Sequence, residues 1–223
     1  MKYYFIIVAG GSGSRMGTST PKQFLKLNEK PILMHTVERL FDFDNNAHFI
    51  IALPFSEFDY WHQLCKNHNF ELSHQLSKGG VNRFESVKNA LNKVTEKSIV
   101  CIHDGVRPLV KKDVITRCIN TAKKTGCAIP VLPIEESIRE VSEQSSRVVD
   151  RNKYKCVQTP QCFSSELILK AYQQDYKSMF TDDASVVESM GINMSLVEGN
   201  KENIKITTPE DLVMAEFLLK QFD

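Results

Sequence analysis

The chain has 223 residues, 42% of them hydrophobic and 25% charged, with a formal net charge of +1. This length can bury a sizeable core, and the composition excludes a disordered chain. A net charge so near zero supplies no global field toward nucleic acid or an anionic membrane, so any phosphate must be bound by local cations.

From the N-terminus, Lys2 precedes the apolar run Tyr3–Ala9. The run is short and leads into Gly-Gly-Ser-Gly-Ser-Arg, which predicts a buried first strand and not a signal peptide. Similar runs at Phe49–Pro54, Ser98–His103 and Cys127–Leu132 are apolar on both faces and read as buried parallel strands. Helical spacing separates them. Ile32, Leu33, Thr36, Val37, Leu40 and Phe41 form one stripe, with Pro31 where a first turn tolerates it, and Phe84, Val87, Ala90 and Leu91 form another. Thr208-Pro209-Glu210-Asp211 opens a last helix through Leu219: a capping threonine, a first-turn proline, and acids that favour the helix dipole.

This alternation predicts one domain over residues 1–223, built as α/β: a doubly wound, mostly parallel, Rossmann-like sheet. One stretch breaks the rhythm. Ile138–Val141 and Arg147–Asp150, around the polar turn Ser142–Ser146, predict a protruding β-hairpin arm at about residues 134–153. Its polar outer face suits solvent or a partner subunit. No segment reaches ~18 uninterrupted apolar residues, so no membrane span is expected. The six cysteines lack a CxxC or a regular framework, and several sit in apolar runs; buried thiols in a reducing, cytoplasmic compartment are expected.

The first strand runs into Gly10-Gly11-Ser12-Gly13-Ser14-Arg15-Met16-Gly17, followed by Pro21-Lys22-Gln23. Glycines after a strand let backbone N–H groups approach a phosphate. The loop is not a P-loop, because Gly17 is followed by Thr18 and not by Lys. It also fits a dinucleotide fingerprint poorly: Met16 stands at the third glycine position, and Pro54-Phe55-Ser56, with no acid, ends the second strand. A nicotinamide-dependent reductase is therefore a distant alternative. The loop does carry Arg15 and Lys22, two cations where a triphosphate would lie.

Further along come Gly79-Gly80 with Arg83 and Ser86-Val87, then His103-Asp104-Gly105-Val106-Arg107-Pro108, and Asp150-Arg151-Asn152. Gln158-Thr159-Pro160-Gln161, Thr181-Asp182-Asp183-Ala184-Ser185 and Asn203-Ile204-Lys205-Ile206-Thr207 complete the set. With the opening loop, these seven blocks, in order, resemble the cytidylyltransferase family of the isoprenoid pathway that acts on 2-C-methyl-D-erythritol 4-phosphate. The resemblance implies a nucleotidyltransferase whose substrates are CTP and a small polyol phosphate, with Mg²⁺ (or another divalent cation) and a homodimer; it implies neither a nucleic acid nor a membrane partner. It implies that Arg15, Lys22 and Lys205 act on the phosphates as catalytic cations. Ala9, Gly10, Gly11, Gly13, Gly79, Gly80, Ser86, Asp104 and Gly105 would bind the nucleotide.

Arg107, Ser137, Arg151 and Thr181 would bind the acceptor, and Asp104, at the carboxyl end of a buried strand, would hold the metal. Lys205 is read on an alternating strand between isoleucines, while Asp211 is assigned to helix capping. The arm departs from the family: Glu136-Ser137-Ile138-Arg139 stands where Asp-Thr-Ile/Met-Lys is usual, each change keeping charge or hydroxyl. In the family this arm crosses to the other subunit. A ribitol-5-phosphate cytidylyltransferase of the same fold is the rival reading, and Thr-Asp-Asp-Ala-Ser favours the methylerythritol enzyme. A non-catalytic nucleotide-binding module would be expected to have lost charge at Arg15, Lys22, Asp104 or Lys205.

Overall fold

The computed structural model describes residues 1–11, 16–17 and 20–222. Gly13 and Arg15 therefore lie outside the described residues. In chain order the elements are β1 (Lys2–Val8), β2 (Lys26–Leu27), β3 (Lys30–Pro31), α1 (Ile32–Phe41), β4 (His48–Leu53), α2 (Phe58–Asn67), β5 (Gln75–Lys78), α3 (Arg83–Leu91), β6 (Ser98–Asp104), α4 (Lys112–Thr125) and β7 (Cys127–Pro133). The rest are β8 (Arg139–Val141), β9 (Ser146–Val148), β10 (Lys155–Val157), β11 (Gln161–Ser164), α5 (Ser165–Ala171), α6 (Asp183–Glu188), β12 (Leu196–Glu198) and α7 (Pro209–Leu219).

The main sheet is ordered β10-β7-β11-β6-β1-β4-β5, with β12 paired to β7. β1 runs parallel to both β4 and β6, and β4 runs parallel to β5. The expectation of a mostly parallel sheet therefore holds, and β7 runs in the same direction as β6 and pairs parallel with β12. The sequence does not foresee β11, which lies between β6 and β7 and is antiparallel to both. Val131 of β7 pairs with Val157 of β10 on one side and Glu198 of β12 on the other.

Alternation along β1 sends Phe5 and Ile7 to one face and Tyr4 and Ile6 to the other. Phe5 and Ile7 pack with Leu33 and Val37 of α1, Trp61 of α2 and Cys118 of α4. Tyr4 and Ile6 pack with Phe84 and Val87 of α3, Ile168 of α5 and Val187 of α6. Helices on both faces explain why these strands are apolar all round. A smaller cluster of Leu27, Ile32, Val106, Ile206 and Ala215 seats α7 beside the β2–β3 turn. Pro31 is the residue before α1 and ends β3, one place earlier than its expected first-turn position.

The last helix opens as expected. Thr208 and Asp211 form a reciprocal capping box at α7, with proline in its first turn, which leaves Asp211 structural. Gly126, at φ +90°, closes α4 and returns its N–H to Ala122 O at 2.8 Å, a conformation that favours glycine. β8 and β9 form the expected hairpin, and every residue from Arg139 to Val148 is exposed. Four of the six free cysteines, Cys101, Cys118, Cys127 and Cys162, are buried, as their apolar neighbours require. Among the described residues no helix is long and apolar enough to cross a membrane.

Candidate active site

The carboxyl ends of β1 and β6 lie side by side, Val8 opposite Asp104, where open α/β sheets bind ligands. The chain leaves β1 as Ala9-Gly10-Gly11 and bounds a cleft of about 270 Å³. Lys22 opens a short 3-10 turn and lines the same cleft. A Cβ added at Gly11 would stand 3.5 Å from Lys22 Cε, so the lysine lies against the glycine loop.

The opposite wall is Gly80, Asn82 and Ser86. Asn82 caps α3 by accepting from Glu85 N at 2.8 Å. Ser86 Oγ accepts from Gly80 N at 3.0 Å and donates to Asn82 O at 2.8 Å. Its hydroxyl thus shapes the loop that forms the wall. A Cβ at Gly80 would fall 2.1 Å from Glu85 Cβ and 2.8 Å from the Glu85 carbonyl carbon. Gly80→Ala should push this wall off the α3 backbone, weakening nucleotide-phosphate binding in the cleft by about tenfold and destabilising the fold by about 1–3 kcal/mol. Calorimetric titration and a thermal melt check this; unchanged values would refute the packing argument.

Gly79 and Gly105 sit behind the cleft lining. Gly79 N–H donates to Leu53 O at 2.6 Å, and Gly105 N–H to Val8 O at 2.9 Å, so each joins strand ends.

A second cleft of about 150 Å³ is lined by Arg107, Thr159, Thr181 and Asp182, among others. Arg83, Asp104 and Lys205 line both clefts. Asp104 is the hub. Lys205 Nζ is 3.1 Å and Arg107 Nε 3.2 Å from its Oδ2, and Arg83 Nε is 3.8 Å from its Oδ1. Burial pushes the Asp104 carboxyl up, but Arg83, Lys205 and Arg107 together outweigh it and hold the group well below the usual carboxylate range,. Residues 203–207 form no strand, contrary to the expectation for Lys205. Thr207 and Thr208 already serve the α7 cap, and the segment is held by Ile206 N–H to Val106 O at 3.0 Å. The alternation of faces survives: Ile206 is buried, Lys205 exposed.

The backbone around Asp104 is fixed by buried polar groups. His103 Nε2 donates to Arg107 O at 3.0 Å, a carbonyl that can only accept. Nδ1 is then the acceptor, taking the Thr159 hydroxyl at 2.9 Å, while Thr159 Oγ1 accepts from Asp104 N at 3.1 Å. Burial lowers the His103 pKa to about 4 against weaker opposing hydrogen bonds. The unfolded chain binds this proton near pH ~6.5 and the folded chain only near 4,. Stability should be full above about pH 6.5 and fall by up to about 3 kcal/mol as pH drops toward 4. His35 and His74, also pushed down by burial, act in the same direction. Melting temperature against pH checks this, and His103→Gln should flatten the slope.

Of the residues expected from the sequence, Ala9, Gly10, Gly11, Lys22, Gly80, Ser86, Asp104 and Lys205 meet at the larger cleft, and Arg107 and Thr181 at the smaller. Ser137 and Arg151 are exposed on or beside the arm and line neither; Arg151 Nη1 donates to Glu135 O. Arg83, Thr159 and Asp183 carry geometry that the sequence reading left without a role. Arg83 and Asp183 are 100 residues apart and Thr159 and Asp104 are 55 apart, and no local pattern reports such distances. Among the described residues no group of three or more His, Cys, Asp or Glu could hold a metal alone. Asp104 is the one carboxylate among the described residues lining the larger cleft.

A glycine loop at a strand end, bounding a cleft lined by Lys22, Arg83 and Lys205, suits a nucleotidyltransferase, whose catalysis rests on positioning and on cations at the transferring phosphate. A family model described as 2-C-methyl-D-erythritol 4-phosphate cytidylyltransferase matches residues 3–221. The enzyme of that name from Phocaeicola vulgatus is 49% identical over 219 residues, covering 98% of this chain and 100% of the relative. That from Bacteroides fragilis is 50% identical over 214 residues, covering 96% and 98%. The crystal structure of the Thermus thermophilus enzyme superposes with a TM-score of 0.80 at 30% identity, covering 99% of this chain and 100% of that one. The Francisella tularensis enzyme gives 0.81 at 31%, covering 97% and 99%. The chain belongs to the 2-C-methyl-D-erythritol 4-phosphate cytidylyltransferase family.

Proposed function

We propose that the chain transfers the cytidylyl group of CTP to 2-C-methyl-D-erythritol 4-phosphate, giving 4-diphosphocytidyl-2-C-methyl-D-erythritol and pyrophosphate in non-mevalonate isoprenoid synthesis. The observation that carries this reading is the junction of the two clefts at Arg83, Asp104 and Lys205. CTP would occupy the larger cleft, with its phosphates against Gly10, Gly11 and Lys22. The acceptor would enter the smaller one, its phosphate toward Arg107 and Thr181. One acceptor phosphate oxygen forms a bond to the α-phosphorus as the bond to the bridging β-phosphate oxygen breaks, and pyrophosphate leaves. That oxygen is already anionic near neutral pH, so no protein base takes part. Lys22 and Lys205 would meet the charge that spreads onto the equatorial and departing oxygens.

Mg²⁺ or another divalent cation fits Asp104, because a hard ion takes one or two carboxylates and completes its shell with phosphate oxygens and water. When bound, it would neutralise charge on the nucleotide phosphates. Buried free thiols fit a reducing cytoplasm,. The exposed arm supports a homodimer in which Ser137 and Arg151 complete the acceptor cleft of the partner subunit. The relatives above carry the methylerythritol name, which favours that acceptor over ribitol 5-phosphate. Pyrophosphate release from CTP with each polyol phosphate in turn tests the assignment.

A further inference from the structure

We propose that Arg83 is a positioning residue that acts through Asp104 and joins the two clefts. It is the first residue of α3, directly after the Asn82 cap. Its Nη1 and Nη2 donate to Asp183 Oδ1 at 2.9 Å and Oδ2 at 2.6 Å. Asp183 is fully buried and is the first residue of α6, after the Asp182 cap. Tyr172 Oη donates to Asp183 Oδ1 at 2.6 Å, so the carboxylate gripping Arg83 is itself held from behind.

This two-pronged grip leaves Arg83 Nε to face Asp104 Oδ1, while Lys205 and Arg107 take Oδ2. The Asp104 carboxylate is therefore faced on both oxygens, at Oδ1 by Arg83 of α3 and at Oδ2 by Arg107 and Lys205. Arg83 contributes charge to Asp104 as Lys205 and Arg107 do, and the Asp183 fork adds direction by fixing where that charge stands. A lysine keeps the charge and loses the fork, so it cannot grip Asp183 and face Asp104 together. The first turns of α3 and α6, which bring Asn82 to one cleft and Thr181 and Asp182 to the other, are thereby tied through one side chain.

The inference rests on the cytidylyl-transfer reading, and its test separates the two. CTP affinity, kcat and KM are measured on the full chain for wild type, Arg83→Lys, Asp104→Asn and the double variant, with a thermal melt of each. Arg83→Lys should weaken CTP binding and lower kcat by roughly tenfold each, the scale for losing a residue that orients a ligand-facing group. In the Asp104→Asn background the same change should cost at least about fivefold less in both readouts, because coupled neighbours are not additive. Equal losses in the two backgrounds, or none, would overturn the proposal and leave Arg83 a tie between helices. If Arg83→Lys does not fold, Asp183→Asn with Asp104→Asn forms the same cycle and decides in the same way. A wild-type chain that binds CTP without turnover would refute the reaction, and the affinity cycle would still decide on Arg83; one that binds no CTP would overturn this proposal too.

Discussion

Lys205→Ala and Lys22→Ala should each lower kcat/KM by roughly 10²–10³-fold, the loss of one preorganised transition-state contact at ~2.7–4 kcal/mol. Lys205 stands where the clefts meet, with its side chain 41% exposed and 3.1 Å from Asp104. Only the lysine end of this pair is exposed, and Asp104, which is buried, keeps Arg107 and Arg83 as partners when the lysine is removed. Folding should therefore survive while the charge that would meet the reacting phosphate is lost. Lys22 lies against Gly11 on the other side of the cleft, where the departing pyrophosphate would sit. Steady-state kinetics with a melting curve for each variant check both. Kinetics within threefold of wild type would return that lysine to a surface role.

Arg151→Ala should abolish activity almost completely, although Arg151 lines neither cleft of its own chain. If the arm crosses a two-fold interface, each site takes Lys22 from one chain and Arg151 from the other. Lys22→Ala and Arg151→Ala dimers would both be nearly inactive when pure. Unfolded and refolded together in equal amounts, half of the dimers should be mixed, with one doubly defective site and one intact site. Recovered activity should then approach roughly a quarter of wild type. With mixed dimers confirmed by mass, activity no higher than that of the separate variants would exclude shared sites.

Much of this site was legible because its residues sit at strand ends, and buried strands announce themselves by being apolar on both faces. β1 and β6 were read within a residue of their observed ends, which placed the glycine loop and Asp104 side by side. The capping box of α7 was legible for the same local reason. What stayed hidden was long-range pairing. β11, Gln161–Ser164, is four residues long and sets no pattern of its own, so its antiparallel place between β6 and β7 could not be foreseen. Asp182 and Asp183 both suit a helix start. Only the fold shows that Asp182 caps α6 while Asp183 turns inward to Arg83, 100 residues away in the chain. Lys205 kept its predicted face without its predicted strand, because the alternation came from Ile206 packing beneath α7 and not from a ladder.

Transfer from CTP to a chosen acceptor is the most direct test of the central claim. Purified chain with CTP and Mg²⁺ should release pyrophosphate only when a polyol phosphate is added, and should use 2-C-methyl-D-erythritol 4-phosphate in preference to ribitol 5-phosphate. The nucleotide product, resolved by mass, should carry the cytidylyl group on the acceptor's phosphate. Equal or faster turnover of ribitol 5-phosphate, or pyrophosphate release without any acceptor, would contradict the account.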